Sequence, residues 1–196
     1  MLSAEKNQLA IANGRVSSKR KHLSYSEIIK ARGEAIVVEG RYHNHEIGPQ
    51  ASMCAQMAEV EVDPQTGAIQ LRRFVSVHHT GKVLNPLLHD GQIDGGIVMG
   101  VGYALTEELL FADGKATTLH FGDYKIPTAR DIPKLRKIVV ETSVGRGPFN
   151  SMSIGETPII TVAPAIANAV YDAVGVRVKS IPLTAEKVLA GLKHQA

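Results

Sequence analysis

The run GQIDGGIVMGVGYALTEELL, residues 91–110, constrains this chain more than any other stretch. Ile93, Ile97, Val101 and Ala104 recur at helical spacing, so the pattern predicts a helix from about residue 90 to 110. Asn85-Pro86 just upstream supplies a capping side chain and a proline suited to a first helical position. Yet the run holds glycines at 91, 95, 96, 100 and 102, and each costs about 1 kcal/mol against alanine inside a helix. A helix that keeps them needs a close neighbour. Gly96, Gly100 and Ala104 lie four residues apart on one face, where another backbone or a ligand can approach.

The segments around this helix set the fold class. AQMAEVEVD (55–63) alternates, DPQTG makes a turn, and AIQLRRFVSVHH (68–79) returns, which predicts a β-hairpin. Upstream, residues 1–33 read as peripheral and irregular, with a turn at Asn13-Gly14. Within them SYSEIIKARG reads as a short helix capped by Ser24 or Ser26 and ended by Gly33. EAIVVEGRYH (34–43) is rich in β-branched residues and predicts a strand, and 44–54 a loop. Downstream come short strands around Asp113-Gly114, a proline-interrupted stretch FGDYKIPTARDIPK, a strand at KIVVETSV (137–144), and the loop GRGPFNSMSIGE. A helix follows from Pro158 to Gly175, kinked or restarted at Pro164, and a last helix starts at Thr184. The order predicts an α+β fold: a β-hairpin and sheet packed with a glycine-rich helix and C-terminal helices.

Composition removes several function classes. The net charge of +3 is modest, and the basic run SSKRKH (17–22) is too narrow for a nucleic-acid face. One cysteine, Cys54, excludes an internal disulfide or an iron–sulfur cluster held by this chain alone, and it reads as a buried inert thiol. The N-terminus lacks the pattern of a secretory signal, and no apolar stretch reaches the ~18 residues of a membrane span. The expectation is therefore a cytoplasmic protein. GGIVMGVG fails the dinucleotide spacing G-x-G-x-x-G, and no serine sits in a G-x-S-x-G elbow. His43/His45 and His78/His79 are spaced for neither a helical metal pair nor a finger, so no metal ligands are assigned.

Glu156 stands alone in NSMSIGETPIITVAPAIANAV, between small residues and an apolar run. It reads either as a residue favouring a helix N-terminus, worth ~0.3–1 kcal/mol, or as a catalytic base. The residues alone leave both open.

Taken in order, MAEVEVDPQTG, HTGKVLNP, GQIDGGIVMGVGYALTEE, DYKIPT and SIGETPIITVAPAIANAVYDAVGVRVKSIPLTAEKVL resemble the C-terminal portion of the molybdopterin-binding large subunit of the xanthine dehydrogenase and aldehyde oxidase family, the molybdenum hydroxylases. The resemblance spans the chain from about residue 11 and implies one C-terminal molybdopterin-binding segment over 1–196, folded like the second half of the family's cofactor domain. It implies that Glu156, in Gly155-Glu156-Thr157-Pro158, is the general base that takes a proton as oxygen attacks an electron-poor carbon. It implies that Gln92 hydrogen-bonds to the pterin, and that the backbone at Ser153, Ile154 and Gly155 passes close to it.

The chain departs from the family's usual pattern at Met152, Met99 and His79, differences that bear on substrate class more than on the cofactor. The family's large subunit is several times longer, so this chain is either one product of a split gene or a fragment. The resemblance implies a molybdenum–molybdopterin cofactor shared with an upstream molybdopterin-binding chain. It further implies a 2Fe–2S iron–sulfur subunit and an FAD subunit as partners, and a heterocycle or aldehyde as substrate. The competing expectation is a non-catalytic assembly module, or truncated remnant, that packs against partner subunits.

Overall fold

The computed structural model describes residues 2, 4–19, 21–45 and 50–195. Arg20 of the basic run and residues 46–49 of the expected loop lie outside them. The chain divides into two compact units, Met1–His43 and Asn44–Ala196.

The first unit is more regular than its sequence suggests. Strands β1 (Ala10–Ala12), β2 (Arg15–Ser17) and β3 (His22–Ser24) form an antiparallel sheet in that order, with Asn13 and Gly14 both left-handed in the first turn. Helix α1 (Tyr25–Arg32) follows. Ser24 and Glu27 close a reciprocal capping box at its start, and left-handed Gly33 ends it. The strand expected over 34–43 does not form. No strand among the described residues pairs with it, and Val37 and Val38 remain 91% and 87% exposed. A β-branched run gains strand structure only from a neighbouring ladder.

The second unit is built on the expected hairpin. β4 (Cys54–Val62) and β5 (Ile69–Thr80) pair antiparallel, joined through a turn in which Gly67 is left-handed. The register shifts between Glu59 and Val60, so that Arg72 and Arg73 are both exposed and the buried phase moves from Leu71 to Phe74. This is a β-bulge, one extra residue on β5. Helix α2 (Pro86–Leu105) then crosses over, capped by the Asn85 side chain with Pro86 in its first turn. After a small hairpin of β6 (Phe111–Ala112) and β7 (Lys115–Ala116), β8 (Lys134–Glu141) pairs parallel to β5, completing the order β4-β5-β8. A parallel pair requires a crossover of this kind.

The helix expected from Pro158 is two helices, α3 (Thr157–Ile160) and α4 (Val162–Val174), separated at Thr161 and ended by left-handed Gly175. Pro164 does not make the break. It falls in the first turn of α4, where a missing N–H has no helical partner to lose. By length and composition Thr157–Val174 does match a membrane span, contrary to the sequence reading. The division at Thr161 interrupts it, and α4 buries Val162, Ile166 and Val170 in the core. Helix α5 (Ala185–Gln195) closes the chain.

The core lies between one face of the sheet and helices α2 and α4, centred on Phe74, Ile93, Ile97, Val101, Val162 and Ile166. The glycines of α2 differ in their neighbours, Gly102 standing against Glu107 and Pro127. A Cβ on Gly96 would stand 2.6 Å from Pro158 Cβ, and one on Gly100 would stand 2.5 Å from Val162 Cβ. Gly91 and Gly95 face open space. The close neighbour that the sequence demanded is therefore the α3–α4 pair.

Candidate functional site

The contact of α2 with α3 carries the start of α2 to the loop that precedes Glu156. Gln92, in the second turn of α2, donates from Nε2 to the carbonyl of Gly155 at 3.1 Å, across 63 residues of sequence. Beside this bond lies an open cleft of about 370 Å³, lined among others by Asn85, Leu88, His89, Gln92, Ile154 and Gly155. Three of the residues singled out from the sequence, Gln92, Ile154 and Gly155, thus meet at one cavity.

Ser153 and Glu156 adjoin it without lining it. Glu156 is the N-cap of α3, yet its carboxylate makes no capping hydrogen bond. The residue is exposed, and its side chain has no ion-pair or hydrogen-bond partner among the described residues.

A helical N-terminus explains the residue's position but not its side chain.

The cleft's groups suit a hydrogen-bonding heterocycle. Gln92 keeps one N–H and its carbonyl oxygen free of any bond among the described residues. Gly155 has open space where a Cβ would stand. His89, one helical turn before Gln92, has a buried Nε2 with no partner among the described residues. Its spacing of three from Gln92 was the available sequence signal for it. Among the described residues no three His, Cys, Asp or Glu side chains gather to hold a metal. What this chain offers a molybdopterin in the cleft is therefore amide and backbone hydrogen bonding, and on those grounds its residues fit the group.

Polar pairs tie the start of α2 to the sheet. Lys137 on β8 bonds Asp90 Oδ2 at 2.9 Å and Asp94 Oδ2 at 2.7 Å, so both carboxylates flanking Gln92 are tied to the sheet. Burial alone would lower the Lys137 ammonium, but its hydrogen bonds to Asp94 and Asp90 outweigh it and hold it above its ordinary value. His78, fully buried on β5, shares a 2.7 Å hydrogen bond with Ser76. Its burial, and then the nearby His89, push its imidazole below the ordinary value. Cys54 is half-buried rather than buried, and its thiol donates to Thr157 O at 3.4 Å.

Comparison with known proteins bears on this geometry. The family model described as a molybdopterin cofactor-binding domain matches residues 1–133. A xanthine dehydrogenase molybdenum-binding subunit of Escherichia coli is 39% identical over 151 residues, 74% of this chain and 20% of that protein. The gamma subunit of the 6-hydroxypseudooxynicotine dehydrogenase complex of Paenarthrobacter nicotinovorans is 33% identical, over 97% of this chain and 26% of that protein.

Among solved structures, the aldehyde oxidoreductase of Desulfovibrio desulfuricans superposes with a TM-score of 0.66 at 37% identity, over 71% of this chain and 15% of that one. Quinoline 2-oxidoreductase of Pseudomonas putida does so at 0.73 and 26%, over 98% of this chain and 26% of that one. The chain spans about a fifth to a quarter of the length of the curated relatives described here. With the family model covering 133 of its residues, Gln92 among them, and with similarity to molybdenum-binding subunits of a xanthine dehydrogenase and an aldehyde oxidoreductase, the chain belongs to the molybdopterin cofactor-binding domain family.

Proposed function

We propose that this chain forms the C-terminal part of the molybdopterin site of a hydroxylating dehydrogenase. Glu156 serves as its general base, and Gln92, Ser153, Ile154 and Gly155 contact the pterin. The observation that carries the reading is the 3.1 Å bond from Gln92 to Gly155, which joins the segment carrying Gln92 to the loop carrying Glu156 at one cleft. When bound, the cofactor supplies the two-electron oxidising centre. Gln92 orients it through its free amide groups, and the loop 153–155 admits it because small and backbone groups stand there. Glu156 holds an exposed carboxylate oxygen that no cap or ion pair occupies, which leaves it available to take a proton at the reacting face.

The substrate class is an electron-poor carbon of an N-heterocycle or aldehyde. The names of the matched quinoline oxidoreductase, 6-hydroxypseudooxynicotine dehydrogenase and aldehyde oxidoreductase support both. The remaining walls of the site, the 2Fe–2S clusters and FAD belong to other chains in this reading, since a single cysteine cannot ligate a cluster. Glu156→Gln in the complete enzyme should lower turnover about 10²-fold or more while molybdenum content is retained, as measured by steady-state kinetics and metal analysis. Full turnover would refute the assignment.

A further inference from the structure

Glu156 stands at the head of α3, and side chains from outside that turn hold it. The Thr161 N–H bonds to Ile159 O rather than to Thr157 O, so the break between α3 and α4 leaves carbonyls for other donors. Three consecutive carbonyls find them. Thr157 O accepts from Cys54 Sγ at 3.4 Å, Pro158 O from Gln56 Nε2 at 2.8 Å, and Ile159 O from the Tyr103 hydroxyl at 3.0 Å.

Gln56 holds more than its neighbours do. Its Nε2 also donates to Ser76 Oγ at 2.9 Å, and its Oε1 accepts from the Thr161 hydroxyl at 2.7 Å. One β4 side chain therefore grips both α3 and the residue at the break. With both N–H groups and the carbonyl bonded, the amide has one orientation to adopt. Ser76 is itself bonded to buried His78, which anchors the clamp in the core.

We propose that Gln56 is a positioning residue: through Pro158 and Thr161 it fixes the backbone of the turn that Glu156 heads, and so sets where the Glu156 carboxylate stands. This rests on the reading of Glu156 as the base. Gln56 itself touches no reacting atom, and its effect is on geometry, where a displacement of about 1 Å can cost about 10²-fold in rate.

The test uses the complete enzyme and, separately, the full chain. In the enzyme, Gln56→Met should lower kcat about 10-fold or more with KM and molybdenum content unchanged. In a Glu156→Gln background the same substitution should cost nothing further, because a residue acting through Glu156 has no effect once the base is gone. An equal loss in both backgrounds overturns the proposal. In the full chain, amide hydrogen exchange at residues 159–162 should quicken about 10-fold or more in Gln56→Met, and unchanged protection overturns it as well. Thr161→Val, which exchanges the bonded hydroxyl for a methyl, repeats both readouts if Gln56→Met fails to assemble. If Glu156→Gln alone keeps full turnover, the base reading falls, and hydrogen exchange still decides whether Gln56 holds the turn.

Discussion

At the scale of single residues, buried polar groups matter as much as those that line the cleft. His78 is fully buried, bonded through Nε2 to Ser76, and has no partner for Nδ1 among the described residues. Burial first, and His89 second, keep it neutral below the ordinary 6.5. As pH falls through 6.5 the unfolded chain takes up this proton before the folded one does, so stability is lost as the pH falls. Thermal melts of the full chain should therefore hold steady above about pH 7 and decline below it, and His78→Gln should flatten that decline. Little of this was legible beforehand. Strand alternation puts adjacent His78 and His79 on opposite faces, and burial does differ between them, His78 fully buried and His79 half-buried. That His78 would meet His89 of a helix depended on packing, which no local spacing encodes. Gln56 escaped notice for the same reason, because its partners lie on β5 and the α3–α4 junction, 20 to 105 residues away.

At the scale of elements, patterns with strong local physics were readable and those that depend on a neighbour were not. The hairpin, the Asn85 cap, the Gly33 and Gly175 helix ends and the small-residue face of α2 all follow from periodicity and turn chemistry. The parallel pairing of β5 with β8, the break at Thr161 and the absence of a strand over 34–43 are outcomes of tertiary partnership. The glycines of α2 show how the two levels combine. Sequence demanded close approach on the face of Gly96 and Gly100, and structure supplies Pro158 and Val162 there. Alanine at Gly100 would force its Cβ against a β-branched side chain, an overpacking that costs about 1–3 kcal/mol. Alanine at Gly95 meets nothing and gains about 1 kcal/mol of helix propensity. Denaturant titrations of the two variants should shift the midpoint in opposite directions. A loss at Gly95 as large as at Gly100 would mean that the exposed face of α2 is also packed.

At the scale of the whole molecule, the proposed function makes the cleft one wall of a site rather than a site. It is open, and its lining comes from the start of α2 and its approach, and from the loop ahead of Glu156. The sheet tells the same story from its outer side, where Met57, Ile138 and Val140 are 69%, 37% and 45% exposed on strands whose other face is core. The chain spans only 20% to 26% of these curated relatives. A cofactor held by one wall loses most of its hydrogen bonds and apolar cover, and a pocket that binds a small molecule tightly buries about 70–90% of its surface. The chain by itself should therefore retain no molybdopterin and turn over no substrate. Purified from its native host, it should come out with a long molybdoprotein chain and with molybdenum, measured by metal analysis of the isolated complex. If it comes out alone and metal-free, the assembly-module reading replaces the catalytic one, because the exposed sheet face and the start of α2 would then serve only to pack against other proteins.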